Sequence, residues 1–137
     1  MEARTIFLSK LIGLYCIVIA VAMSVDKPAT VNAVVALVGS PPLVLLVGLV
    51  VVAAGLALVL SHNVWRGSAL AVVVTLIGWL TLVKGALFLF SPAPAAGGFV
   101  VWGAAYERWF YVDVALAFAL GIYLTYAGFR ATPASPT

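Results

Sequence analysis

Apolar residues along this chain fall into four runs, at about residues 6–25, 42–61, 67–90 and 108–129, separated by short polar or proline-containing stretches. About 20 apolar residues in helical form cross a hydrocarbon core of about 30 Å, so each run is long enough to span a bilayer. The runs are continuous rather than alternating, and a backbone in lipid has to satisfy its own hydrogen bonds. Helices are therefore predicted, not a barrel. The expected fold is an all-α membrane protein: one domain, an antiparallel bundle of four transmembrane helices, with a short interfacial helix between spans one and two.

In the first run, Ser9, Gly13, Cys16, Ala20 and Ser24 share one side of a helical wheel. Such a stripe of small residues lets another helix approach closely. The basic start and the A-V-A near its end also fit a secretory signal, but the stretch is expected to be retained as span one. Lys10 is expected to carry its ammonium back to the interface along its stem. The surface helix is predicted at about 30–39, capped by Thr30, with Val31, Val34, Val35 and Val38 on one face. Ser40 and the following prolines restart the chain.

Span two places Gly48, Gly55 and His62 seven residues apart on a single face. The connection from His62 to Gly67 is short, so spans two and three are antiparallel neighbours. Asn63 and Gly67 suit a tight turn there, and Trp65 suits the interfacial aromatic belt. Span three gathers Ser68, Ala71, Thr75, Gly78 and Gly85 near one face. A Pro/Ala/Gly loop is predicted from Ser91 to Gly98. A helix starting near Val100 would align Trp102, Tyr106, Trp109 and Asp113 and aim Asp113 into the bundle. The last residues, 131–137, read as a disordered tail.

Composition narrows the chemistry. Of 137 residues, 66% are hydrophobic and 8% charged, against about a quarter charged in soluble domains. The net charge of +3 comes from scattered basic residues with no clustered face for phosphates, which argues against a nucleic-acid partner. Arg4, Lys10, Arg66 and Arg130 fall on the side of both termini, against Lys27 and Arg108 with Lys84 nearby, so both termini are predicted cytoplasmic. The single cysteine, Cys16, cannot form an internal disulfide.

The candidate sites are few. Trp79 lies within span three, where its indole N–H needs a carbonyl or hydroxyl partner or a bound ligand. Thr75, Trp79, Trp109 and Asp113 form a candidate ligand-binding group. Lys84 and Asp113 fall at similar depth on successive spans and make a candidate intramembrane ion pair, structural or functional. His62, Asn63 and Trp65 form a polar knot at the membrane boundary, with His62 expected to bond within its own turn. One His and one Cys on different spans give no metal or haem pattern, so no metal or cofactor is predicted. Nucleophile–base pairs, phosphate loops and paired carboxylates are missing, so no enzyme activity is expected.

The stretches L-S-H-N-V-W and V-T-L-I-G-W-L-T-L-V-K-G, with F-L-S-K-L-I-G-L-Y near the start, resemble a family of small bacterial four-span membrane proteins that carry no functional name. The resemblance covers spans one to three and implies a bacterial inner membrane, and no activity. Small multidrug exporters are similar in length and span count, but they need an acid in the middle of span one, where this chain has only Glu2 outside. Likeness to the DoxX-type bundles is architectural. The expected function is that of a non-catalytic accessory or scaffold subunit, in contact with membrane lipid and with other membrane subunits or copies of itself. The alternatives are a binder or carrier of a hydrophobic molecule such as a quinone, lipid or pigment, and a proton- or ion-coupled transporter using Asp113, Lys84 and His62.

Overall fold

The structure is a computed structural model that describes residues 3–90 and 92–131, with side chains for all of these except 92–105. The predicted tail beyond Ala131 lies outside the described residues, as does the side chain of Trp102. Five helices form: α1 (Ala3–Val25), α2 (Lys27–Val38), α3 (Pro41–Ser61), α4 (Ala69–Phe90) and α5 (Pro92–Arg130). Four of them, counting Tyr106–Arg130 of α5, are long and apolar enough to cross a membrane, and α2 is the short helix between spans one and two. The protein is an all-α four-span bundle, as its apolar runs predict.

Local chemistry sets the helix ends. Asp26, not Thr30, caps α2: its carboxylate accepts the Ala29 backbone N–H at 2.9 Å. Pro28 then falls in the first turn, where a missing N–H costs nothing. Ser40 stands at the N-cap of α3 without a side-chain hydrogen bond, and Pro41 opens the helix. The Pro/Ala/Gly loop predicted at 91–98 is instead helical from Pro92. Pro92 and Pro94 occupy the first turn, whose N–H groups have no intrahelical acceptor, so both rings are tolerated there.

Glycines fix the helix pairing. A Cβ on Gly55 would stand 2.5 Å from the Leu82 backbone nitrogen, and one on Gly85 2.5 Å from that of Val52. The backbones of α3 and α4 therefore touch, antiparallel, along the two small-residue faces read from the sequence. The second pair joins the ends of the chain: Gly13 lies against Thr125, Gly121 against Ile17, and Gly128 against Ser9 and Lys10. Thus α1 runs antiparallel to α5, and the successive helices α4 and α5 touch far less. A core of Leu8, Leu70, Val74 and Leu124 ties the pairs together. Around it large apolar side chains face outward, with Val25 and Leu60 each 81% exposed and Phe90 83%, a surface suited to lipid rather than water.

Charge divides between the two ends. Arg4, Lys10, Arg66 and Arg130 gather where α1 begins and α5 stops. There Lys10 lies 4.4 Å from the Phe129 ring centroid and Arg130 4.4 Å from that of Tyr126. At the other end Asp26, Glu107 and Asp113 balance Lys27, Arg108 and Lys84. Lys27 sits over Tyr111 at 4.8 Å and Phe110 at 5.6 Å, anchoring the start of α2 to α5.

Candidate functional site

The polar knot after α3 is built by a mismatch in helix ends. The register of Gly48 against Leu89 and Gly55 against Leu82 places the end of α3 level with residues near 76, about two turns inside the start of α4. After His62, whose N–H still bonds the Leu58 carbonyl, the chain climbs those two turns to Ser68 without helical hydrogen bonds. In a bundle its backbone groups need other partners. Thr75, fully buried, supplies them: its Oγ1 accepts the Val64 N–H at 3.0 Å, and its single proton is shared between the Val64 and Ala71 carbonyl oxygens, each 3.0 Å from Oγ1. Gly67, at φ +109°, makes the final turn in a conformation that favours glycine, and Ser68 Oγ accepts the Ala71 N–H at 3.2 Å to cap α4.

His62 is 3% exposed; its backbone N–H bonds the Leu58 carbonyl at 2.8 Å, but its ring finds its partner on another helix rather than within its own turn. Its Nε2 lies 3.2 Å from the Ala71 carbonyl oxygen of α4. A carbonyl can only accept, so Nε2 is the donor in this contact, and Nδ1 is buried without a partner. His62 continues the face of Gly48 and Gly55, which packs on α4, and so the imidazole lies against α4 rather than against solvent.

Asn63 supplies the partner expected for Trp79. Its Oδ1 accepts the indole N–H of Trp65 at 2.7 Å and that of Trp79 at 3.3 Å. Two indoles are thereby pinned by one amide at the rim of the α3–α4 pair. Replacing Asn63 by Leu is expected to cost about 1 kcal/mol per hydrogen bond. It should also lower tryptophan fluorescence anisotropy in a chain whose Trp102 and Trp109 are changed to Phe; unchanged anisotropy would show that the amide does not hold the rings.

The candidate ligand-binding group is not assembled as one pocket. Thr75 and Trp79 are engaged within the knot, while Trp109 is 55% exposed on α5 and Asp113 is exposed one turn further on. Asp113 therefore does not point into the bundle. Nor do Lys84 and Asp113 form the expected ion pair: no contact within 4 Å joins them, and the Lys84 ammonium lies 5.6 Å from the Phe88 ring centroid. The reason is the pairing of the helices, since α4 packs mainly on α3 and α5 on α1. Neighbouring depth on successive spans did not make these two side chains neighbours. Among the described residues no group of three or more His, Cys, Asp or Glu side chains could hold a metal ion.

The feature that the sequence did not reveal is a groove. Because α1 packs on α5 and α3 on α4, α1 and α3 barely touch, and a cleft of about 1170 Å³ opens between them. Ile77 and Thr81 of α4 form its floor, and Ala54 and Ala57 keep its α3 wall low. On α1 it runs from Ala3 to Cys16, about 20 Å at the helical rise. Two hydroxyls on its wall are consumed by their own helices, Ser61 bonding the Leu58 carbonyl and Thr81 the Ile77 carbonyl. The stripe Ala54, Ala57, Ser61, at steps of three and four, was the one available signal in the sequence. A smaller cleft of about 500 Å³ lies in the other half of the bundle, where Ala20 and Ser24 of α1 face Tyr111 and Phe118 of α5.

Fold and site together define a class: a small multi-pass membrane protein of four spans, with a polar knot at one boundary and a half-depth groove on its lipid face. No family model matches the chain, and comparison with curated proteins and with solved structures finds no match.

Proposed function

We propose that this chain is a non-catalytic membrane protein that holds a hydrophobic molecule in the groove between α1 and α3. The groove carries the reading. Its volume of about 1170 Å³ reaches the scale of small-molecule sites, and its walls are mostly apolar, with the Ser61 and Thr81 hydroxyls already bonded. Such a wall recognises shape and length; its few other polar groups are Arg4 at one end and Tyr15 and Cys16 at the other. The four spans set the molecule in the membrane, the bacterial inner membrane if the resemblance of spans one to three holds, with the basic end cytoplasmic.

Ala57→Phe tests the proposal, because it adds a ring to the groove wall and leaves the glycine contacts of α3 untouched. Gentle extraction followed by native mass spectrometry should find a retained small molecule of fixed mass on the wild-type chain. The variant should fold equally well and lose that molecule at least tenfold. Equal retention by the variant would overturn the reading. A stoichiometric polypeptide in place of the small molecule would also overturn it, in favour of an accessory subunit or a homo-oligomer.

A further inference from the structure

We infer that the occupant of the α1–α3 groove is an anionic long-chain lipid drawn from the leaflet at the basic end, its chains in the cleft and its headgroup on Arg4; this rests on the groove being a binding site. Three observations lead there. The first is length. The groove follows α1 from Ala3 to Cys16, about 20 Å, and α3 from Val50 to Ser61, about 17 Å. A hydrocarbon core of about 30 Å gives each leaflet about 15 Å, so the cleft matches one leaflet and stops. A spanning partner helix would find a wall for only about half of its length, whereas a lipid chain finds one for all of it.

The second observation is where polarity lies. Among the described residues Arg4 is the only charged one lining the groove, and it stands at the mouth. Ser61 and Thr81 donate to carbonyls of their own helix, leaving the Tyr15 hydroxyl and the Cys16 thiol, together at the far end of the α1 wall, as the other hydrogen-bonding side chains. A molecule with polar groups along its body, between the mouth and that far end, would bury them unpaired in this cleft. A molecule whose polarity is confined to one end buries only hydrocarbon.

The third is the state of the cations. Lys10 and Arg130, at the same end, lie over aromatic rings of α5. Arg4 is exposed and has no ion-pair or ring partner among the described residues, so its guanidinium fork is free for a phosphate. Charge at the mouth therefore selects an anionic head, and the apolar cleft beneath selects its chains.

The experiment uses the full chain in vesicles of phosphatidylcholine containing one tenth phosphatidylglycerol, with a diazirine on an acyl chain of one lipid or the other, and adducts mapped by peptide mass spectrometry. Adducts on groove residues such as Leu11 and Ala54 should be about fivefold more frequent with the anionic probe, the preference that one basic side chain at an anionic surface confers. Arg4→Gln should bring the two probes to equality. Arg66→Gln removes an equal charge at the same end but outside the groove, and should leave the preference in place. If Arg66→Gln lowers it as much as Arg4→Gln, or if both probes label equally in the wild type, the headgroup assignment is overturned while the groove stands. If Ala57→Phe leaves the groove adducts of both probes unchanged, the groove itself is not a site and both readings fall.

Discussion

Gly85→Ala should prevent this bundle from assembling in its native form. A methyl group at Gly85 would lie 2.5 Å from the Val52 nitrogen and 2.9 Å from the Val51 carbonyl carbon, and neither backbone atom can turn aside as a side chain would. The helices must separate instead. A gap of 0.5–1 Å forfeits about a quarter to a half of the dispersion energy at every contact along the interface. In lipid that packing is the main force holding α3 to α4, since no hydrophobic drive replaces it. Alanine improves helix propensity by about 1 kcal/mol over glycine, but the cost of overpacking is about 3 kcal/mol or more, so the loss wins. Gly78→Ala is the graded comparison, because its methyl would meet the Leu58 Cβ at 3.1 Å, an overlap relieved by a shift of a few tenths of an ångström rather than a clash with backbone. Thermal unfolding in detergent should rank wild type above Gly78→Ala and Gly78→Ala well above Gly85→Ala; equal midpoints for the two variants would refute the close backbone contact.

Thr75→Val should be the most damaging conservative change in the chain. Valine fills the same volume, so the fully buried site keeps its packing. What disappears is the hydroxyl that serves both backbone groups of Val64. An unpaired buried N–H or C=O costs about 1–3 kcal/mol; Val64 is half-buried and the Thr75 proton is shared with the Ala71 carbonyl, so a loss of about 2 kcal/mol is expected. Release of the 62–68 segment would follow, and with it the contacts of His62 and Asn63 to α4. Thr75→Ser retains the hydroxyl and should recover most of the stability. A valine variant as stable as wild type in the same detergent would mean that the knot does not depend on this clamp.

The sequence was legible wherever glycine and small residues marked contact. Gly48, Gly55 and His62 on one helix, and Ala71, Thr75, Gly78 and Gly85 on the next, are all buried against each other as their spacing predicts. Gly67 likewise sits at the turn, and Ser9, Gly13 and Ala20 form the buried side of α1. The partner of that side was not legible. Lipid and protein interior are equally apolar, so the pattern of α1 says that a helix packs there without saying which. The assumption that successive spans are neighbours failed for α4 and α5, and with it the pairing of Lys84 and Asp113. The groove was hidden for the same reason, because it is a property of two helices that do not meet. Helix ends were misread where capping competes: Asp26 outbid Thr30 for α2, and prolines in a first turn looked like a loop before α5.

The pairing of α1 with α5 ties the first of the four described spans to the fourth. A ribosome adding about 5–20 residues per second finishes α5 about 5–20 seconds after α1, since about a hundred residues separate their ends. For that interval Ser9, Gly13 and Ala20 have no permanent neighbour, and the nascent chain carries an adhesive stripe into a crowded bilayer. Translation arrested before Tyr106 would leave the stripe uncovered for good, free to capture a second nascent chain through the same glycine. Closure of the α1–α5 pair thus waits for α5, and until then the small-residue side of α1 is open to other helices of the bilayer.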